Sequence, residues 1–345
     1  MGLALALVAL VAGSPFVGGP VPSTVVDSFR VEVRAPSGVE SIAWQAPESL
    51  AARLPDGDLA ETNGTLYAAR KGAPRGYVER RRFAARPDGY PLPDLFPQIH
   101  EFVLAQARGG KLKLVETTLR GRATYRAAVP LRANECAGLR AGRATIWLDR
   151  ETLLPLRLVE ERAGQPAWIW SYRYHDLNVR LPASTFSPPE LGKNPLRADD
   201  GFVRTAPAHA AGPLSYTPSL PTVLSPGFEL AVSGWARKSG ITGPEGSNRP
   251  SRDLFAAVYR RGWEVIEVTQ RLAAPVWTSD PFGAECGFEH VERTRVGPAT
   301  ATYGAAPEIV PHIYWRQGRL LFTVSGPFPM ADLVAIASSL RPIGA

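Results

Sequence analysis

Four aromatic residues recur at every second position of the segment WIWSYRYH, and they are the clearest candidates for binding chemistry. They are Trp168, Trp170, Tyr172 and Tyr174. Side chains alternate between the two faces of a β-strand, so all four are predicted to share one face. Each buried aromatic side chain covers roughly 150–250 Å², so together they exceed the ~300–600 Å² of a typical largest apolar patch. A helix, a second domain, an apolar ligand or a partner must therefore cover this face.

Residues elsewhere in the sequence complete a predicted apolar cavity. Ile99, Phe102 and Val103 recur at helical spacing and would line it from the opposite side. Arg157 and Arg173 are candidate contacts for an anionic headgroup, and the alternative is that both are exposed structural arginines. A pocket of this kind needs a mostly apolar lining with few polar anchors. The pattern predicts binding of a lipid or acyl chain, with ordinary protein core as the alternative.

Residue types that perform catalysis are scattered along the chain. The sequence contains no G-x-S-x-G, H-E-x-x-H, P-loop or G-x-G-x-x-G motif. The five histidines occur singly, and Glu289 and His290 would face opposite ways in a strand. No cysteine spacing is typical of a metal site. The sequence therefore predicts a protein without catalytic residues, metal or cofactor, and an enzyme is the least favoured class.

Two cysteines, Cys136 and Cys286, lie about 150 residues apart. In an exported protein they would be able to form one disulfide, and two free buried thiols are the alternative. In the chain-entropy model a loop of that length stabilises by about 4–5 kcal/mol, less any strain.

A three-stranded antiparallel unit is predicted to position the aromatic residues. Its strands are Ala144–Arg150, Leu156–Arg162 and Ala167–Leu177, and turn-forming residues separate them. The best helix of the first half is Leu95–Arg108, which follows a candidate cap at Asp94 and ends before two glycines. This helix would cover the sheet.

Short strands are also predicted along the rest of the chain. They are Ser28–Arg34, Ser41–Gln45, Thr65–Arg70, Gly76–Ala85, Lys111–Leu119, Ala123–Leu131, Phe228–Val232, Leu254–Tyr259, Glu264–Gln270, Ala299–Tyr303, Ile313–Gln317 and Leu320–Ser325. A helix at Met330–Leu340 follows them. With 32 Gly and 33 Pro in the chain, the pattern predicts a mainly β fold with α (α+β).

The 345 residues are enough for two domains and a leader. The uncharged residues 1–22 predict a signal peptide or an N-terminal membrane anchor, although no Lys or Arg precedes the apolar run Leu3–Ala12. We expect one domain at residues 23–192 and another at 222–345. Residues 193–221, rich in Pro, Ala, Gly and Ser, would be the linker. The bulk of the chain is predicted to be extracytoplasmic.

The chain is basic, with a net charge of +7 at pH 7. A basic protein can bind nucleic acid, anionic lipid or an acidic protein, or it can simply have a solvated basic surface. The sequence has no recognition helix, zinc finger or RNA-binding motif. We therefore expect no nucleic-acid partner.

Several short motifs resemble those of known envelope proteins. Trp147 and Asp149 at a turn, then Pro155–Arg157, His175–Val179 and Leu181–Phe186, resemble the sheet of the periplasmic lipoprotein-carrier superfamily (LolA-like). The later segments SPGFEL, PHIYWRQGRLLFTVSGP and LVAIASSL are similar to the C-terminal domain of sigma-E regulatory proteins (MucB/RseB-like). Proteins of the second family join both kinds of domain in this order.

This resemblance implies a curved antiparallel half-barrel covered by helix, plus a second, smaller β-rich α+β domain. It also implies a non-enzymatic extracytoplasmic protein that holds a lipid or acyl chain in the half-barrel. The alternative that it implies is a regulatory module that acts on a membrane-bound anti-sigma factor or another envelope protein. The family's helix before the first strand is either missing here or lies within the leader, and no partner-binding residue of the family maps onto this sequence.

Overall fold

The computed structural model describes residues 20–80, 98–133, 138–199, 201–242, 250–273, 291–307 and 309–344, and the side chains of 238–252 are excepted. Most of the leader, the helix cap at Asp94 and both Cys136 and Cys286 lie outside the described residues. The disulfide and the cleavage or retention of the leader therefore stay predictions. Within the described ranges, no helix combines the length and the apolar composition needed to cross a bilayer.

The first sheet has twelve strands in the described residues. They are β1 (Ser28–Ala35), β2 (Gly38–Gln45), β3 (Ser49–Leu54), β4 (Gly57–Thr62), β5 (Thr65–Arg70), β6 (Tyr77–Arg80), β7 (Val115–Leu119), β8 (Arg122–Leu131), β9 (Gly142–Asp149), β10 (Pro155–Arg162), β11 (Trp168–His175) and β12 (Leu196–Asp199). Their order is β12-β6-β5-β4-β3-β2-β1-β11-β10-β9-β8-β7. All neighbours are antiparallel except β12 and β6. Helix α1 (Gln98–Arg108) lies in the chain between β6 and β7.

The second sheet has eight described strands. They are β13 (Val203–Arg204), β15 (Glu229–Thr242), β16 (Pro250–Arg261), β17 (Glu264–Leu272), β18 (Val291–Val296), β19 (Ala299–Ala306), β20 (Ile309–Gln317) and β21 (Leu320–Ser325), in the order β13-β15-β16-β17-β21-β20-β19-β18. Helix α2 (Pro207–Ala210) precedes β14 (Ser219–Pro221), which pairs with β22 (Leu340–Pro342). Helix α3 (Met330–Ser338) comes just before β22. The predicted mainly β fold with some α is confirmed.

The three-strand unit around the aromatic residues has the predicted arrangement. Strands β9, β10 and β11 pair antiparallel in sequence order, and Leu158 lies opposite both Ile146 and Trp170. Among the described strands that were not predicted (β3, β4, β12, β13, β14, β18 and β22), two lie in the interior of the first sheet, namely β3 and β4. Their sequences SLAARL and GDLAET contain no Val, Ile or aromatic residue, so local β propensity is weak and pairing with neighbours decides their conformation.

The segment predicted as a linker is part of both sheets. Leu196–Asp199 pairs in parallel with β6, and Val203–Arg204 pairs with β15. Further on, Ser219–Pro221 pairs with the strand that follows α3. Residues 193–221 are therefore held at several points by backbone hydrogen bonds, which a composition rich in Pro, Ala and Gly does not reveal.

Two clusters of buried side chains form most of the core. The first joins one face of the twelve-stranded sheet to Ile99, Val103 and Leu104 of α1 and to Trp263 of the segment between β16 and β17. The second joins the eight-stranded sheet to α3, and Phe102 of α1 packs against both clusters. Helix α1 thus lies between the two sheets.

Because β9 and β10 pack closely at Gly142, we expect a larger side chain at this position to destabilise the protein. A Cβ at this position would lie 2.0 Å from the carbonyl oxygen of Glu161, which is backbone and cannot rotate away. We expect Gly142→Ala to lower the free energy of unfolding by roughly 1–3 kcal/mol, because the strands must separate locally. Urea denaturation followed by tryptophan fluorescence measures this. The control is Gly212→Ala, where a Cβ meets nothing within 4 Å; an equal loss in both variants would contradict the packing argument.

Candidate functional site

The four aromatic residues of β11 lie on one face of the first sheet, as alternation predicts. We call it the inner face, and it is the face that packs against α1. Register places Tyr172 opposite Val33 and Tyr174 opposite Val31 of β1. Trp170 and Tyr172 are buried in the core, whereas Trp168 is 41% exposed at the end of the row. The row is therefore closed over at its middle and open at one end.

The aromatic rings contact one another along the strand. The ring centroids of Trp168 and Trp170 are 6.2 Å apart in an edge-to-face arrangement, and those of Tyr172 and Tyr174 are 6.4 Å apart and stacked. Phe29 meets Tyr174 edge-on at 5.5 Å. Burial raises the pKa of the Tyr174 hydroxyl well above its usual value, and the charge of Asp149 adds to this effect. Tyr174 therefore stays a neutral phenol.

The helix residues predicted to line a cavity lie against this row. Ile99 and Val103 are fully buried in the same cluster as Trp170 and Tyr172, and Phe102 packs partly against both cores. A cavity of about 550 Å³ opens on the opposite, outer face of the sheet, and none of the seven predicted cavity residues lines it. Binding of a lipid or acyl chain on the inner face therefore stays a prediction.

Arg157 and Arg173 lie on the outer face, because each is one residue out of phase with the inner-face residues of its strand. The Arg157 guanidinium lies 5.5 Å from the ring centroid of Trp147. Arg173 is exposed opposite Glu32 in register. The sheet thus separates both arginines from any ligand held between the inner face and α1.

Asp149 of the turn motif has a structural role. Its carboxylate accepts hydrogen bonds from the backbone N–H groups of Glu151 and Thr152 at 3.1 and 2.9 Å, and from the Thr152 hydroxyl at 2.8 Å. It also forms an ion pair with Arg122 at 2.5 Å. These contacts fix the tight connection between β9 and β10, which sets the register of the aromatic strand.

A buried ion cluster holds the C-terminal end of α1 against the second sheet. Arg108, which is 3% exposed, pairs with Glu264, which is 1% exposed, and Arg261 pairs with the same carboxylate at 2.5 Å. Arg108 also donates to the carbonyl oxygens of Pro327 at 2.7 Å and Pro20 at 3.1 Å. Burial alone would raise the pKa of Glu264, but the two guanidiniums outweigh it and hold this pKa below its usual value. The carboxylate is therefore ionised.

A second contact ties the first turn of α1 to the same region. The His100 ring stacks on Trp263 with centroids 4.8 Å apart, and His100 Nε2 donates to the Leu153 carbonyl oxygen at 2.8 Å. Burial lowers the pKa of His100 to about 4. His100 is neutral at physiological pH and joins the first sheet, α1 and the second sheet at one point.

Each of the two sheets ends in a largely exposed strand within the described residues. In the part of the chain that the structure describes, β7 pairs only with β8, and β18 pairs only with β19. Lys111 Nζ lies 2.8 Å from Glu292 Oε1 of β18, and the four residues from Lys111 to Val115 span at most about 14 Å. We call β7 and β18 together the paired edges. The sequence analysis did not predict that β7 and β18 are edge strands, because the order of strands in a sheet cannot be read from local sequence patterns.

After the ion pairs of the paired edges are taken into account, the remaining charge along them is positive. Glu116 forms an ion pair with Arg150, and Glu292 forms one with Lys111, so both acids of these strands are neutralised. The exposed basic side chains that remain are Lys113, Arg120, Arg293 and Arg295. An extended, acidic segment would fit these edges by charge and by hydrogen bonding.

Comparisons with known proteins give likenesses at low identity. No family model matches the chain, and no curated protein matches it. It is similar to the solved structures titled MucB in complex with MucA(peri) and the complex of Pseudomonas aeruginosa MucA/MucB, each at 16% identity and a TM-score of 0.29, over 92% of this chain and 94% of that chain. MucB alone is similar at 15% identity and a TM-score of 0.27, over 92% of each chain.

Disruption of the buried ion cluster is expected to destabilise the protein strongly. Glu264→Gln leaves two buried guanidiniums without their counter-charge, so the free energy of unfolding should fall by about 3–5 kcal/mol. The matched control is Glu292→Gln, which breaks an exposed ion pair that also connects the two sheets and should cost less than about 1 kcal/mol. Urea denaturation of both variants measures the two free energies of unfolding. Similar decreases in the two variants would contradict a special role for the buried cluster.

Neutral His100 makes stability depend on pH. The pKa is about 4 in the folded protein and 6.5 in the unfolded chain, so the unfolded state binds more protons between these values. We expect the free energy of unfolding to fall by about 3 kcal/mol from this group as the pH falls from 6.5 to 4. The depressed pKa of Glu264 adds a further loss near the acidic end.

Urea denaturation at several pH values measures this slope. His100→Phe should remove the His100 part of the slope while keeping the stacking position filled. His175→Phe, at an exposed position of β11, should leave it unchanged. If the wild type and His100→Phe lose stability in parallel between pH 6.5 and 4, the assignment to His100 is wrong.

Proposed function

We propose that this chain is an extracytoplasmic regulatory protein that binds an extended, acidic segment of a membrane-bound anti-sigma factor along the paired edges. The observation that carries the proposal is the pair of edge strands β7 and β18, which in the described residues pair on one side only, are linked through the Lys111–Glu292 ion pair and carry basic charge beyond their ion pairs. The motif resemblance to sigma-E regulatory proteins supports the class of partner. MucB, the similar protein, has been solved with MucA(peri).

The backbone chemistry of an edge strand suits an extended partner. Each edge presents a row of N–H and C=O groups that have no partner within its sheet. An added strand satisfies these groups, and this mode of recognition gives affinity through the main chain and specificity through alternate side chains. Exposed Val115 and Val291 begin the two edges and offer apolar contacts to such a segment.

Charge explains why the paired edges would select a partner instead of a second copy of the chain. Two copies would bring Arg293 and Arg295 toward the same residues of a neighbour, and like charges facing each other in a sheet are destabilising. An acidic segment would meet the opposite sign and would be steered toward the edge at low ionic strength. The edge is thus protected from self-association by the same residues that would attract the partner.

We infer that the chain has two units, one at residues 23–192 and one at 222–345. We infer that the first is a curved half-barrel. The inner-face side chains of the nine strands from β5 to β8 in the strand order all join one buried cluster with α1. If these strands formed a flat sheet, it would be about 38 Å wide at about 4.8 Å per strand spacing. One helix about 10 Å wide is too narrow for a flat sheet of that width.

Direct binding tests the proposal. The probe is the extracytoplasmic part of a membrane-bound anti-sigma factor from the same organism, titrated into the protein by calorimetry at low and high salt. We expect binding that weakens as salt rises and that weakens at least 10-fold in Arg293→Glu/Arg295→Glu. The control Arg34→Glu places the same change on the exposed outer face of β1.

Amide hydrogen exchange reports whether the partner adds a strand. The amides of Val115–Leu119 or Val291–Val296 should exchange more slowly in the complex, because the outward N–H groups acquire acceptors. Absence of binding would overturn the proposed partner. Binding without protection of either edge, or with full affinity in the charge-reversed variant, would overturn the proposed site.

A further inference from the structure

The outer face of the first sheet contains a preformed cavity that the proposed function does not use. Its volume is about 550 Å³, within the range of small-molecule pockets. Ala43 and Ala51 of β2 and β3 form part of its lining, and their small side chains leave space above the sheet. Residues after β11, including Thr185, form another wall.

The wall that covers the cavity is firmly attached to the sheet. Leu181 and Phe186 are buried against Ala43, and the Leu181 N–H donates to Gln45 Oε1 at 2.8 Å. Nearby, the Ser28 hydroxyl donates to the Val179 carbonyl oxygen at 2.8 Å. Core packing and these two hydrogen bonds therefore hold this wall of the cavity against the sheet.

Opposite charges line the cavity without neutralising each other. Arg53 and Asp58 lie directly opposite in the β3–β4 ladder, so their Cβ atoms are about 5 Å apart on the same face. Neither side chain forms an ion pair or hydrogen bond within the described residues, and both line the cavity. Arg30, on another side, is already engaged by Asp176 at 3.4 Å and by Thr185 at 3.4 Å.

These charges favour one class of ligand. A simple anion would be attracted by Arg53 but repelled by Asp58. A simple cation would be attracted by Asp58 but repelled by Arg53. A molecule that carries a carboxylate and an ammonium a few ångströms apart satisfies both groups at once. Arginine binds carboxylates through two parallel hydrogen bonds, and a carboxylate accepts strongly from an ammonium. Ala51, two residues before Arg53 on β3, leaves room beside the two charged groups for a small aliphatic side chain.

We propose that this cavity binds a short zwitterionic peptide, with the ligand carboxylate on Arg53 and its free amino group on Asp58. Hydroxyl groups of Ser41, Ser184 and Ser187 at the cavity surround the ligand and can donate to or accept from its amide group. The volume exceeds that of a single amino acid and suits two or three residues. This site is independent of the paired edges.

Calorimetric titration of the protein with three dipeptides tests the site. The probes are dialanine, N-acetyl-dialanine, which lacks the ammonium, and dialanine amide, which lacks the carboxylate. We expect dialanine to bind at least 10-fold more tightly than either capped form, which corresponds to about 1.4 kcal/mol. Equal affinity for the three probes, tighter binding of a capped form, or no binding of dialanine would overturn the proposal.

Two variants assign each end of the ligand. Arg53→Gln should remove the preference for the free carboxylate while keeping that for the free amino group, and Asp58→Asn should do the reverse. Both positions are exposed strand residues, so the variants should fold. Arg34→Gln, an exposed arginine outside the cavity, should bind all probes as the wild type does. Unchanged preferences in Arg53→Gln and Asp58→Asn would place the ligand elsewhere and overturn the site.

Discussion

The buried ion cluster at the end of α1 is the constraint on which the arrangement of the molecule depends. Arg108 is the last residue of α1, Glu264 begins β17, and Arg261 ends β16. Removing each such charge from water costs several kcal/mol, and only complete pairing with good geometry offsets this cost. A displacement of α1 relative to the second sheet would leave at least one of these charges buried and unpaired. The cluster therefore specifies one position of α1 between the two sheets.

The rest of the candidate site follows from that position. With α1 fixed, Ile99 and Val103 close the inner face over Trp170, while Phe102 packs against both cores. Lys111 comes only three residues after Arg108, so the anchored helix end also determines where the chain enters β7. The ion pair of Lys111 with Glu292 then ties the segment before β7 to β18. A structural interaction deep in the protein thus arranges an exposed surface.

Local sequence patterns predicted a large part of the fold. Alternating apolar residues identified β1, β5 and the β9–β11 unit, and the amphipathic period identified α1. β3 and β4 escaped detection because Ala-rich strands have little intrinsic propensity, and β18 because VERTRV is almost entirely exposed. The Arg108–Glu264 pair joins residues 156 positions apart, and no local pattern indicates it. The row of aromatic residues was placed on the correct face, but exposure of a strand edge depends on sheet order, which sequence periodicity does not contain.

The paired edges and the outer cavity are separated by the sheet itself. Seven strand spacings lie between β3 and β7 in the strand order, or about 34 Å along the surface at 4.8 Å per strand. A small ligand beside Arg53 therefore cannot touch a partner bound at β7. Any influence of a ligand at one surface on binding at the other would have to pass through the sheet, whose inner face is packed on α1. Because the strands between them are packed on α1, which the ion cluster holds in one position, the two surfaces are structurally separate.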